Sequence, residues 1–182
     1  MRTSIPLAAL ALAAYANPTF AGDPATPPHK MLADVPAYIT GLEHDGKYLF
    51  WGEEPFGPGR KGGVFRLLTP SGQVGALWTG KSVHNLDVGK DEVFFTAGLE
   101  LDIRSIPKAG GEARTVLAAS ALTALTAIAG GALIDDLAVV GDMVIVGVSP
   151  AGKCADDAGA IVLVGTDGSD VKLLASAVTE AW

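Results

Sequence analysis

His84-Asn85 and Asp135-Asp136 are the side chains of this 182-residue chain whose types and placing could do chemistry. Carboxylate and amide oxygens suit a hard divalent cation, and these two pairs supply both. Each pair stands directly before a leucine, Leu86 or Leu137, at one place in a repeating unit. A third copy of that place holds Thr40-Gly41 before Leu42, which brings no carboxylate. The competing reading is local: Asn and Asp side chains bond nearby backbone and stabilise the turns between units.

Other reactive-looking sets dissolve on their spacing. Glu53-Glu54 resembles an acid/base pair, but neighbours on a strand point to opposite faces, so the two read as the end of a solvated strand before Pro55. Gly57 to Gly63, GPGRKGG, is glycine-rich without the Gly-Lys-Ser/Thr ending of a phosphate loop, and reads as an inter-strand connection. Asp167-Gly168-Ser169-Asp170 lacks the twelve-residue calcium-loop pattern and reads as a hairpin turn. His29, His44 and His84 show no zinc spacing, and no Gly-x-Ser-x-Gly nucleophile motif occurs. Trp51 and Phe95 read as packing between units.

The elements that must position these residues repeat. Leu42, Leu86 and Leu137 each precede by seven residues an apolar triplet, Leu49-Phe50-Trp51, Val93-Phe94-Phe95 or Val144-Ile145-Val146. Polar turns lie between: HDGK from His44, GKDE from Gly89, and Gly141-Asp142. A third run follows in each copy, GVFRLL from Gly63, LDIRSI from Leu101 or AIVLVG from Ala160. Then come a tight turn (Pro70-Ser71-Gly72, Pro107 to Gly111, Thr166-Asp167-Gly168) and a fourth run, VGALW, ARTVLA or VKLLA. Alternation such as Val64/Arg66 against Phe65/Leu67 has period two, so the runs are strands. The leucines are spaced 44 and 51 residues apart. Four short antiparallel strands at such a period match one propeller blade. One four-stranded sheet cannot bury both faces alone, and stacking neighbours does. The predicted fold is all-β: a partial β-propeller of about three four-stranded antiparallel blades stacked side by side.

The middle copy, Val-Phe-Phe-Thr followed by Ile-Arg-Ser-Ile-Pro-Lys-Ala-Gly-Gly and Thr-Val-Leu-Ala, resembles repeats of bacterial secreted six-bladed β-propellers of the Tyr-Trp-Thr-Asp-like kind. Leu49-Phe50-Trp51-Gly52 and Val93-Phe94-Phe95-Thr96 occupy that motif's place. No copy carries the full motif, and Val144-Ile145-Val146-Gly147 lacks the aromatic. The resemblance covers residues 36–177. It implies that a calcium or lactone-hydrolysing site, if there is one, lies near the axis, at His84, Asn85, Asp135 and Asp136.

Residues 1–21 read as a signal peptide with cleavage after Ala21: Arg2, an apolar run from Ile5 to Ala14, and small residues at Thr19 and Ala21. Residues 22–35 form a Pro-rich linker, and residues 36–182 carry the blades (36–80, 81–130, 131–177). Loss of the leader removes Arg2 alone among the charged residues and moves the formal charge from −7 to −8. An acidic chain without a Lys/Arg cluster gives no footprint for nucleic acid. Cys154 is the one cysteine, which excludes an intramolecular disulfide. Val116 to Ile134 carries no charge but is mostly Ala, Thr, Gly and Ser, and it falls where the repeat expects strand, loop and strand, so no membrane span is expected. Three blades fall short of the four to eight that close a ring. Either the chain is a truncated or split piece of a longer protein, or two copies assemble into a ring, or the sheets stack in some other form. The chain alone is expected to associate through its open blade faces or to be poorly stable. The functional expectation is a non-catalytic, exported segment, periplasmic or extracellular, that binds or scaffolds a protein or small-molecule ligand. The alternative is a fragment of a metal-dependent propeller hydrolase or lactonase.

Overall fold

Among the described residues, period-two runs bounded by Gly, Pro and Asp turns fold as twelve strands, with one short helix. The computed structural model describes residues 37–55, 61–68, 72–98, 102–126, 132–150 and 159–178. The first sheet holds β1 (Ala37–His44), β2 (Tyr48–Pro55), β3 (Gly62–Leu68) and β4 (Gln73–Gly80) in that order, all antiparallel. The second holds β5 (Val83–Val88), β6 (Glu92–Ala97), β7 (Ile103–Pro107) and β8 (Arg114–Leu117). Helix α1 (Ala119–Thr126) follows, then a third sheet of β9 (Ala132–Val140), β10 (Met143–Pro150), β11 (Gly159–Gly165) and β12 (Lys172–Val178). The leader, the linker and Cys154 lie outside the described residues.

The seven-residue offset has a geometric cause. In each sheet the marker leucine pairs with the third residue of its triplet: Leu42 with Trp51, Leu86 with Phe95, Leu137 with Val146. One hairpin register is therefore used three times. Its turn is built differently each time. Asp45 Oδ1 accepts from Lys47 N–H (3.0 Å) and Tyr48 N–H (2.9 Å), while Gly89 N–H donates to Glu92 C=O (2.9 Å). Gly141 takes φ 62°, a conformation open to glycine at little cost.

Alternation then decides what each strand buries. Val93, Phe95 and Ala97 of β6 face the first sheet and join Phe50, Val64, Val83, Leu86 and Ile106 in one core. Phe94, on the opposite face of β6, joins Ile103, Leu137, Val144, Val146 and Val162 in a second core against the third sheet. The middle sheet is thus sandwiched, and the cores lie between sheets. Phe95 packs between sheets as expected, with its ring 5.1 Å from that of Trp78. Trp51 does not: it lies on the other face of β2, buried, stacked at 5.7 Å on Phe65 of its own sheet, with Nε1–H donating to Glu53 (2.8 Å).

Two glycines set how closely the sheets approach. A Cβ on Gly52 would stand 2.5 Å from Val83 Cγ1, and one on Gly41 3.1 Å from Leu86 Cβ. Carbon atoms settle at about 3.5–4.0 Å, so β5 lies on a surface that only glycine backbone leaves open. At the hairpin end, the Lys108 ammonium meets Asp45 at 3.0 Å and Arg66 donates to the Lys108 carbonyl, tying the first two sheets. Arg114 pairs with Glu92 at 2.6 Å and donates to Thr166 C=O (2.7 Å), tying the second to the third. Burial pushes the Asp45 carboxyl up, but bonds from Tyr48 N–H, Lys108 and Lys47 N–H outweigh it and hold the pKa at about 2.

Helix α1 is an addition to the expected strand–loop–strand. Its Ala and Leu residues favour helix, Asp102 Oδ1 accepts from Ala119 N–H (3.0 Å) as an N-terminal cap, and Leu122 and Leu125 turn one face into the second core. At eight residues it is far too short to span a bilayer, and among the described residues no helix is long and apolar enough to do so.

Candidate functional site

The place singled out by the two chemistry-bearing pairs is a β-bulge, and it recurs in all three sheets. In β1 the ladder passes from Ile39 to Gly41 and leaves Thr40 extra. In β5 it jumps from Val83 to Leu86, so His84 and Asn85 oppose Thr96 alone. In β9 Ile134 and Asp136 oppose successive residues of β10 and Asp135 is extra. A bulge adds a residue to one strand and re-aims its side chain, as is common beside binding sites.

Two of the three bulges are spent on joining sheets. Thr40 Oγ1 donates to Val83 C=O at 2.5 Å. Asn85 Nδ2 donates to Ile134 C=O at 3.0 Å. Val83 and Ile134 sit at the same place, three residues before their leucines, so the same carbonyl is satisfied at both junctions. Asn85 N–H also donates to the buried Thr96 hydroxyl at 3.1 Å. The local reading of Asn85 is therefore extended: it ties one sheet to the next as well as the strands of its own.

The third bulge differs. Asp136 Oδ1 accepts from Leu137 N–H at 2.8 Å, and Asp135 Oδ1 accepts from Ser149 Oγ at 2.9 Å. Both acids are exposed, whereas His84 and Asn85 are half-buried. The four candidates thus stand at corresponding positions on adjacent strands. Among the described residues no group of three or more His, Cys, Asp or Glu is placed to hold a metal ion.

Sequence reasoning passed over a second carboxylate row, one residue after the marker leucine. Asp87 accepts from Val88 N–H (2.6 Å) and from Val139 N–H of the third sheet (2.5 Å), so it too joins sheets. Glu43 holds the same place in β1, and burial followed by the Asp87 charge pushes its carboxyl above the usual range. Ala138 fills the place in β9. The repeat offset alone would have found this row. The Asp167 segment is a hairpin turn as expected: Ser169 donates N–H to Asp167 Oδ1 at 2.8 Å, and bonds from Ser169 hold that carboxyl below its ordinary value.

Three four-stranded antiparallel sheets stacked face to face, inner strand on inner strand, define the architecture. It is an arc of a β-propeller. No protein-family model and no curated protein matches the chain. Among solved structures, the propeller arc is similar to a chain of a nidogen/laminin complex, with 16% identity, a TM-score of 0.54 and coverage of 78% of this chain and 49% of that one. A europium-containing methanol dehydrogenase matches with 16% identity, a TM-score of 0.47 and coverage of 75% and 26%. The chain thus spans about half the length of the first and a quarter of the second.

Proposed function

We propose that this chain is an exported, non-catalytic propeller module that binds or scaffolds a protein partner through the rim where its inner strands bulge. One observation carries the reading: the bulge repeated in every described blade is used between sheets by Thr40 and Asn85, yet in the third blade it presents Asp135 and Asp136 exposed, with His84 half-buried at the matching place before it. Packing demands the repeated parts, and it makes no demand on an exposed Asp135. The neighbour in the nidogen/laminin complex is a propeller-like chain from a protein–protein assembly, which supports a protein as the ligand class. The signal-like pattern of residues 1–21 supports export, and the Val-Phe-Phe-Thr type of motif supports kinship with six-bladed secreted propellers.

A photoreactive side chain placed at His84 or Asp135 tests the rim directly. It is expected to trap a discrete partner that the same probe at Gly110, in a turn at the opposite end, does not trap. Equal trapping from both ends would sink the proposal. Stabilisation by calcium or zinc at millimolar concentration, abolished by Asp136→Ala, would replace it with the metal-dependent hydrolase.

A further inference from the structure

Charged side chains far apart in the sequence meet at the turn end of the first two blades. Lys47 lies in the β1–β2 turn, Arg66 on β3 and Lys108 in the β7–β8 turn, so no run of the sequence marks them as a cluster. Two rings gather them. The Lys47 ammonium stands 4.9 Å and the Arg66 guanidinium 5.1 Å from the centre of the Tyr48 ring, and the Lys108 ammonium stands 5.8 Å from that of Phe50. The two rings are 5.9 Å apart. Strand register explains the grouping: Arg66 pairs with Phe50 across β2 and β3, and Tyr48 shares a face with Phe50 two residues on.

Joining the sheets uses only part of this charge. Lys108 pairs with Asp45 at 3.0 Å, and Asp45 also accepts from the Lys47 and Tyr48 N–H groups, which fills that carboxylate. Arg66 donates from Nη1 to the Lys108 carbonyl, and among the described residues no carboxylate meets its guanidinium. Arg66 is half-buried. A charge partly withdrawn from water and without a counter-ion is costly to keep. The Tyr48 hydroxyl, on the ring that both cations approach, likewise has no partner among the described residues.

We propose that this cluster binds one phosphate or sulfate group. Arginine presents paired N–H donors that match the oxygens of such an anion, and its guanidinium is weakly hydrated. Contact with Tyr48 and the bond to the Lys108 carbonyl already order Arg66, so little side-chain freedom remains to be lost on binding. Lys47 adds a second positive charge, and the Tyr48 hydroxyl adds a further donor. The occupant is a single group and not a polyanion. The chain carries −7 overall, and Asp91, whose carbonyl accepts from Lys108 N–H at 2.9 Å, brings a further acidic residue beside the site. The bulged rim is at the other end of the same strands, so this site stands or falls independently of the protein partner proposed there.

Titration of the purified chain with inorganic phosphate tests the assignment, read by calorimetry and by NMR of the Arg66 side-chain N–H. Saturable binding in the millimolar range is expected, with none for chloride at the same ionic strength. Tighter binding of a sugar phosphate or sugar sulfate marks an esterified group as the source, and equal binding marks the free ion. Arg66→Gln weakens binding about tenfold or more, the worth of a charge-assisted hydrogen bond. Lys47→Gln, in an exposed turn, weakens it about two- to fivefold. Lys172→Gln, the same change of charge on β12, leaves it unaltered. Arg66 also ties two sheets, so the comparison of Lys47 with Lys172 stays decisive where Arg66→Gln unfolds. No saturable response to phosphate, equal weakening by Lys47→Gln and Lys172→Gln, or full affinity in a folded Arg66→Gln variant would overturn the proposal.

Discussion

Gly52→Ala is expected to destabilise the chain by about 2–3 kcal/mol, and Gly147→Ala, the same position two blades later, by no more than about 0.5 kcal/mol. The added methyl at Gly52 falls 2.5 Å from Val83 Cγ1, 2.9 Å from Thr40 Oγ1 and 3.1 Å from Val83 Cβ. To reach a carbon contact of about 3.5 Å, Val83 must retreat by about 1 Å. It has nowhere to go, because it is fully buried, its β-branched side chain is stiff at χ1, and its carbonyl is held by Thr40. Overpacking of this kind costs about 1–3 kcal/mol, and the Thr40 bond is strained with it. At Gly147 the methyl meets one backbone nitrogen at 3.9 Å, and the smaller entropy loss of Ala on folding offsets the remainder. Urea unfolding reads the two midpoints. Val83→Ala in the Gly52→Ala background should recover at least about 1 kcal/mol relative to the sum of the single changes, since the two methyls compete for one space. Equal midpoints for the two alanine variants, or strict additivity with Val83→Ala, would refute the stacking of β5 on β2.

Three further outcomes follow from the same geometry. Asn85→Ala should cost about 1–2 kcal/mol in urea unfolding, as the Ile134 carbonyl loses its donor and Thr96 loses one of its partners. Asp102→Ala should cost about 1 kcal/mol through loss of the α1 cap, with protection of the Leu122 amide falling in hydrogen exchange before that of β6. The Asp45 carboxyl is depressed from 3.8 to about 2, so its contribution to stability is complete above the higher value and lost as the pH falls through the lower. The contribution is of order 1 kcal/mol after solvent screening at the hairpin end, and the stability gap between wild type and Asp45→Asn should close as acid is added across this window.

The fold was legible because the repeat expresses packing. Leu42, Leu86 and Leu137 recur at a fixed offset from their triplets because one hairpin register places them opposite Trp51, Phe95 and Val146. Alternation such as Val64/Arg66 against Phe65/Leu67 told strand from helix, and the unbroken apolar run Val93-Phe94-Phe95 fits a middle blade covered on each side. Other features were hidden. Helix α1 occupies a stretch of small residues with no charge pattern, and its cap, Asp102, comes from 17 residues away. Trp51 looked like Phe95 by position, yet without a described blade before it the indole pairs with Phe65 of its own sheet. The candidate site was legible as a place. Its chemistry was not, because whether Asn85 faces a ligand or the Ile134 carbonyl depends on a contact 49 residues away in sequence.

β1 lies against β5 with Gly41 beneath Leu86, and an engineered disulfide reports that contact. In a Cys154→Ser background, cysteines replacing Gly41 and Leu86 place their Cβ atoms within reach of a disulfide, since a Cβ added at Gly41 stands 3.1 Å from that of Leu86. Rapid, complete oxidation to a compact species on a non-reducing gel is the predicted result, with cysteines at Gly41 and Asp87, one residue out of register, remaining free. Equal oxidation of the two pairs, or none of either, would contradict the stacked repeat.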